Sequence, residues 1–287
     1  MTEPVVVVET PRDAFQGLSQ FIPTEEKIAF VRSILDAGIR HVDLGSFVSP
    51  KAVPQMSDSE EVVRAFRKLS DIERIAIVVN AKGLQRATDV GGLDALGFPF
   101  SLSRNFQLNN TNLTSTQTWP VVEQLIIQTE LHDMSFILYV SMAFGNPDED
   151  AWEEATLLRF VKSLTAMGVR HVSLADTIAV AQPAQVKHAF QQLRAEFPQI
   201  DFSAHFHGRP QDWFLCVDAA LEAGCRRFDA ACGGLGGCPF AQDKLVANIP
   251  TEGLVRRLEQ NGFSTGIDPG KIEASARLAR EIQQRYA

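Results

Sequence analysis

Ala37-Gly38-Ile39-Arg40-His41-Val42-Asp43, Met167-Gly168-Val169-Arg170-His171-Val172-Ser173 and Ala223-Gly224-Cys225-Arg226-Arg227-Phe228-Asp229 are three versions of one phrase. Each follows a segment of helical periodicity and opens a short apolar run. Glycine belongs just past the end of a helix, so the phrase marks a helix running into a buried strand. Strand-length apolar runs at 5–9, 41–44, 75–79, 95–98, 136–140, 171–175, 202–206 and 227–230 alternate with amphipathic segments at 24–37, 58–68, 121–133, 148–167, 183–197 and 210–223. Thr24, Asp58, Asp148 and Thr251 are expected at helix N-termini as caps or first-turn acids. Strict alternation predicts an all-parallel sheet, and at 287 residues a closed (β/α)8 TIM barrel. Residues 271–286 predict an extra C-terminal helix. A doubly wound sheet would need a glycine-rich loop after the first strand, and Thr10-Pro11-Arg12-Asp13 is not one. The expectation is a single α/β domain over 1–287.

Bulk properties narrow the function. Hydrophobic residues make up 45% and charged residues 22%, ordinary for a globular core. The net charge of −8 argues against nucleic acid or an anionic membrane as partner. No apolar run approaches the roughly 18–20 residues of a membrane span. The start lacks the basic and small-residue pattern of a signal peptide, which predicts a cytoplasmic protein. The four cysteines, Cys216, Cys225, Cys232 and Cys238, form no C-x-x-C pair and read as free thiols.

In a barrel of this kind the active site lies at the C-terminal ends of the strands. Those ends carry Arg12 and Asp13, Asp43 and Ser46, Asn80, Arg104 and Asn105, Tyr139 and Ser141, Asp176 and Thr177, then His205 and His207, and finally 232–238. Residues i and i+2 of a strand face one side, so His205 and His207 can aim two imidazoles at one point. With Asp13 they form a ligand set for a divalent cation, and without thiolates magnesium or manganese fits at least as well as zinc. The glycine-rich run that ends in Cys238 brings a nucleophilic or acid/base sulfur to the same end.

Several collinear motifs resemble the 3-hydroxy-3-methylglutaryl-CoA (HMG-CoA) lyases of the metal-dependent lyase and Claisen-condensing barrel superfamily. They are Pro11-Arg12-Asp13-x-x-Gln16, Ser46-Phe47-Val48-Ser49-Pro50-Lys51-x-Val53-Pro54-Gln55-Met56, Ser173-Leu174-x-Asp176-Thr177-Ile178, the H-x-H pair, and Gly234-Leu235-Gly236-Gly237-Cys238-Pro239-Phe240-Ala241. The resemblance implies that Asp13, His205, His207 and Asn248 hold the metal. It implies that Arg12 polarises the acyl oxygen, that Cys238 is the catalytic thiol, and that Asp176 and Asp43 belong to the catalytic set. Gln16, Ser46, Tyr139, Ser141, Ser173 and Thr177 are expected to contact substrate, with Lys51 and Arg104 as weaker candidates for CoA phosphates. The chain departs from the family at Ala14-Phe15, usually Gly-Leu, and at Asp43, usually Glu. It also departs in the longer, glycine-poor stretch Asp243-Lys244-Leu245-Val246-Ala247-Asn248.

The implied reaction is cleavage of HMG-CoA, or a related 3-hydroxy-3-alkylglutaryl-CoA, to acetyl-CoA and acetoacetate. A Claisen-condensing or aldolase relative is the first alternative, and a non-catalytic acyl-CoA-binding barrel the second. The expected partner is a small acyl-CoA, with a homodimer as the assembly to consider.

Overall fold

A computed structural model describes residues 3–146, 153–237 and 246–287. Eight parallel strands form the wall of a closed barrel: β1 (Val6–Glu9), β2 (His41–Ser46), β3 (Glu73–Ile77), β4 (Ala95–Ser101), β5 (Ser135–Ser141), β6 (His171–Asp176), β7 (Asp201–Gly208) and β8 (Arg227–Ala230). Each pairs with its neighbours in sequence; β8 returns to β1, and the β6–β7 pairing completes the ring. A two-residue strand, β9 (Ala247–Asn248), adds antiparallel to the end of β7 and sets Asn248 opposite His207.

The helices are α1 (Pro11–Phe15), α2 (Thr24–Asp36), α3 (Ser59–Phe66), α4 (Ala81–Val90), α5 (Arg104–Thr111), α6 (Ser115–Leu131), α7 (Glu154–Ala166), α8 (Pro183–Glu196), α9 (Trp213–Glu222), α10 (Thr251–Gln260) and α11 (Pro269–Tyr286). The last is the expected extra helix. Gly38, Gly168 and Gly224 all have positive φ where helices end, as the repeated phrase requires. Among the described residues, no helix is long and apolar enough to cross a membrane.

Local expectations needed correction in places. The helix expected from 121 begins at Ser115, because Thr114 and Gln117 form a capping box one turn earlier and Pro120 is tolerated inside. Pro23 and Pro250, not Thr24 and Thr251, occupy the cap positions of α2 and α10. Both threonine hydroxyls bond carboxylates elsewhere, Thr24 to Asp58 and Thr251 to Glu9. Asp58 does precede α3, but its side chain takes Lys27 and Thr24 in place of a helix amide. Asp148 lies outside the described residues.

Most buried side chains lie between strands and helices. A separate cluster of strand residues, Val8, Ile75, Ile77, Ala95, Ile137 and Tyr139, fills the barrel interior. Below it, at the N-terminal ends of the strands, Glu73 takes hydrogen bonds from His41 (2.7 Å) and Arg227 (2.6 Å). Burial alone would raise the Glu73 carboxyl, but His41 and Arg227 hold it at about 2. A carboxylate depressed in the folded state stabilises above its unfolded value, and that stability is lost as pH falls through the folded value. Glu73→Gln is therefore expected to cost about 3 kcal/mol at pH 7, by denaturant titration. The difference from wild type should shrink as pH drops from about 4.5 towards 2.

Candidate active site

The site is built at the C-terminal mouth, around a cavity of about 480 Å³ lined by residues from the exits of β1 to β7 and by Gly237. Pro11 starts α1 immediately after β1, and this single turn points Arg12, Asp13 and Gln16 at the mouth. Arg12 donates from Nε and Nη2 to Asp43 Oδ2 (2.9 and 2.6 Å) and from Nη1 to Asp13 Oδ1 (2.8 Å). Gln16 Nε2 donates to the same Asp13 oxygen at 2.7 Å.

Asp43 depends on an irregularity in β2. Asp43 pairs with Ile75 and Gly45 with Ala76, so Leu44 is an extra, bulged residue. Residues three apart on a regular strand face opposite sides. The bulge instead lets Asp43 reach Arg12 while Ser46 lines the cavity. Ser59 Oγ secures the turn by accepting the Ser46 N–H at 3.0 Å. Burial pushes the Asp43 carboxyl up to about 6 against the pull of Arg12, and its Oδ1 has no hydrogen-bond partner.

His205 and His207 project from β7 towards Asp13, each Nε2 lying 3.9 Å from Asp13 Oδ2. Their other nitrogens are fixed. His205 Nδ1 lies 3.0 Å from Asp229 Oδ2, and His207 Nδ1 lies 2.8 Å from the carbonyl oxygen of Thr177. Both partners only accept, so each Nδ1 carries the proton and each Nε2 keeps its lone pair. His207 Nε2 is buried without a partner. One carboxylate oxygen and two imidazole nitrogens thus lie within 4.8 Å of one another, a donor set that suits a divalent cation.

Burial would raise the Asp13 carboxyl, but Arg12 and both imidazoles hold it far below the ordinary carboxylate range. For His205, burial opposes protonation, yet the hydrogen bond and charge of Asp229 raise it above the usual histidine value.

Asn248 also reaches this cluster, despite the longer stretch before it. Its Nδ2 donates to Asp13 Oδ2 and to the Leu235 carbonyl, both at 2.8 Å. Gly236, at φ +77°, passes so close that a Cβ there would lie 2.4 Å from the Asp13 carbonyl oxygen.

Ser46, Tyr139, Ser141 and Thr177 line the cavity with Arg12, Asp13 and Gln16. The Tyr139 ring stands edge-on to His205, with centroids 5.8 Å apart. Ser173 and Asp176 are not among the lining residues. Ser173 Oγ is buried without a partner. Asp176 accepts the N–H groups of Val180 and Ala181, each at 3.0 Å, and so shapes the turn that presents Thr177. Lys51 and Arg104 are exposed, and Asn80 caps α4 by accepting the Gly83 N–H while touching the cavity. Cys238 lies outside the described residues.

Two further contributors were not singled out from the sequence. Asp229 closes the third copy of the repeated phrase, at the place Asp43 holds in the first, and that equivalence was the available signal. The wall formed by Asn109, Asn110, Thr111 and Asn112 at the end of α5 carried no pattern that separated it from a polar loop.

The HMGL-like family model matches residues 4–279. The hydroxymethylglutaryl-CoA lyase YngG of Bacillus subtilis is 30% identical over 271 residues, covering 94% of this chain and 90% of the relative. The human mitochondrial hydroxymethylglutaryl-CoA lyase is 32% identical over 269 residues, covering 93% and 82%. An HMG-CoA lyase from Acinetobacter baumannii, solved in complex with coenzyme A and 3-methylmalate, superposes with a TM-score of 0.90 at 33% identity, covering 98% and 92%. A barrel of this topology, matched along nearly its whole length, belongs to the HMGL-like family.

Proposed function

We propose that this protein is a metal-dependent carbon–carbon lyase that cleaves HMG-CoA to acetyl-CoA and acetoacetate. The observation that carries this reading is the convergence of Asp13, His205 and His207 beside Arg12 at one cavity mouth. The Bacillus and human relatives are named as lyases of that thioester, and the Acinetobacter relative was solved with coenzyme A bound. We read residues 1–287 as one cytoplasmic catalytic domain, acting on a small acyl-CoA.

Asp13, His205, His207 and Asn248 would hold a magnesium or manganese ion. Such an ion supplies Lewis acidity that lowers the pKa of the substrate's tertiary hydroxyl. With both Nε2 atoms given to the ion and both Nδ1 atoms protonated, neither imidazole can take the hydroxyl proton. The proton passes instead to Asp43, whose buried Oδ1 beside Arg12 has no other partner. Asp176, with both oxygens engaged by Val180 and Ala181, contributes by setting Thr177. As the hydroxyl carbon becomes a ketone, the carbon–carbon bond breaks and its electron pair passes to the thioester enolate. Arg12 faces the developing enolate oxygen with a charge pre-aligned by Asp43, so little reorganisation is needed when the bond breaks. Gln16, Ser46, Tyr139 and Ser141 position the acyl group. Cys238 returns a proton to the enolate carbon.

The assignment to Cys238 is supported by elimination. Cys232 is wholly buried, and burial pushes its thiol well above the ordinary range. The same cause moves Cys216 and Cys225 up to about 12. Steady-state turnover of HMG-CoA with added magnesium or manganese, read as acetoacetate formed, tests the function directly. Cys238→Ser is expected to fold normally and to lose about 10²- to 10⁴-fold in kcat. Cys232→Ser is expected to keep its turnover. The reverse outcome would assign the wrong sulfur.

A further inference from the structure

One buried carboxylate that the reaction does not use lies close in sequence to the candidate metal ligand Asp13. Glu9 ends β1, four residues before Asp13, and has no exposed surface. Its neighbour Val8 packs in the barrel interior, so strand alternation turns Glu9 outward, towards α10. Glu9 Oε1 accepts the Cys232 N–H at 2.8 Å, and Oε2 meets the Thr251 hydroxyl at 2.5 Å. These partners lie on the two chain segments that flank the cysteine-bearing stretch in sequence.

The backbone ties the same base together. Ala231 N–H donates to the Ile249 carbonyl at 2.9 Å, and Thr251 N–H to the Ala231 carbonyl at 3.2 Å. Beside it, Glu252 accepts the Gly233 N–H at 3.0 Å and pairs with Arg280 of α11 at 3.0 Å. A buried carboxylate is costly unless its oxygens are satisfied. Here each oxygen is satisfied by a different segment, so neither segment can shift without leaving one oxygen bare.

The clasp leads to the metal cluster by a short route. Asn248 stands three residues before Thr251, and its amide bridges Asp13 Oδ2 to the Leu235 carbonyl. Asp13 itself follows Glu9 along the chain. We propose that Glu9 is a positioning residue for the metal site: by clasping Cys232 to Thr251 it holds the Asn248 amide against Asp13 and thereby sets the affinity for the cation. This rests on the reading that Asp13, His205, His207 and Asn248 hold the metal. Burial pushes the Glu9 carboxyl up to about 7, so glutamine is a close substitute for its protonated form. A glutamine there can still accept from Cys232 and can donate to Thr251 Oγ.

The test is Mn²⁺ affinity, read by electron paramagnetic resonance on the purified full chain, with thermal stability measured alongside. Partners that orient metal ligands are typically worth about 10- to 100-fold in affinity, and Glu9→Ala is expected to weaken binding within that range. Thr251→Val, which removes one hydroxyl at nearly constant volume, should weaken it less and in the same direction. Glu9→Gln should bind as the wild type does. Wild-type affinity in both Glu9→Ala and Thr251→Val, whatever their stability, overturns the proposal; if Glu9→Ala does not fold, Thr251→Val decides alone. Equal loss in Glu9→Gln and Glu9→Ala also overturns it. His205→Ala, run in parallel, separates the two readings: unchanged Mn²⁺ binding there, or none in the wild type, rejects the ligand assignment and the clasp with it.

Discussion

Replacing His205 by alanine is expected to abolish tight divalent-metal binding and to lower kcat/KM for HMG-CoA by about 10³-fold or more, some ~4 kcal/mol of transition-state stabilisation. The effect should be large because the position serves three ends at once. His205 Nε2 belongs to the set of donor atoms around Asp13, its ring packs edge-on against Tyr139, and its Nδ1 is the hydrogen-bond partner of Asp229. Alanine removes one donor from the cluster and leaves a buried carboxylate behind it. A calorimetric metal titration and a steady-state assay measure both consequences. Full activity of the wild type in excess chelator, or of His205→Ala without added metal, would falsify the metal-dependent mechanism.

Arg12→Ala should cost about 10²- to 10³-fold in kcat, the usual worth of a donor aimed at a developing oxyanion. The loss is expected in kcat more than in KM, because the interaction strengthens only as charge develops. Arg12 is held by three hydrogen bonds to two carboxylates, and Asp13 and Asp43 keep it charged against the opposing effect of burial. Removing the guanidinium leaves Asp43 buried, with no cation and an already unpartnered Oδ1. Its carboxyl, pushed up to about 6 even with Arg12 present, should then become neutral near pH 7. Arg12→Lys is expected to recover little, since an ammonium cannot reproduce the planar fork that meets Asp43 and Asp13 together. A variant retaining more than half of the wild-type kcat would remove Arg12 from the enolate step.

The barrel was legible because its signals are local. A glycine after a helix, a run of four to eight apolar residues and a phrase repeated at three junctions are recorded among neighbours along the chain. His205 and His207 were legible for the same reason: spacing of two on a strand is enough to place two side chains on one face. Thr251 misled because a threonine before a helical run resembles a cap, and only the folded chain shows its hydroxyl committed to Glu9, 242 residues away in sequence.

The parts that tune the site depend on which strands become neighbours and in what register. Asp229 orients His205 only because β8 lies beside β7 with His205 paired to Asp229. The Thr177 carbonyl fixes the His207 proton across the β6–β7 pairing that closes the ring. The bulge at Leu44, which gives Asp43 and Ser46 a common side, is a mismatch between two strands and has no mark in either alone. Asn248 meets Asp13 through a two-residue strand too short to have a period of its own. The sequence by itself determined the eight-fold alternation and the kinds of chemical group delivered to the barrel mouth, since periodicity and residue type are properties of adjacent positions. Tertiary structure alone decided which carboxylate orients which base and how firmly each ligand is held, because those contacts exist only once the ring has closed and distant segments share a register.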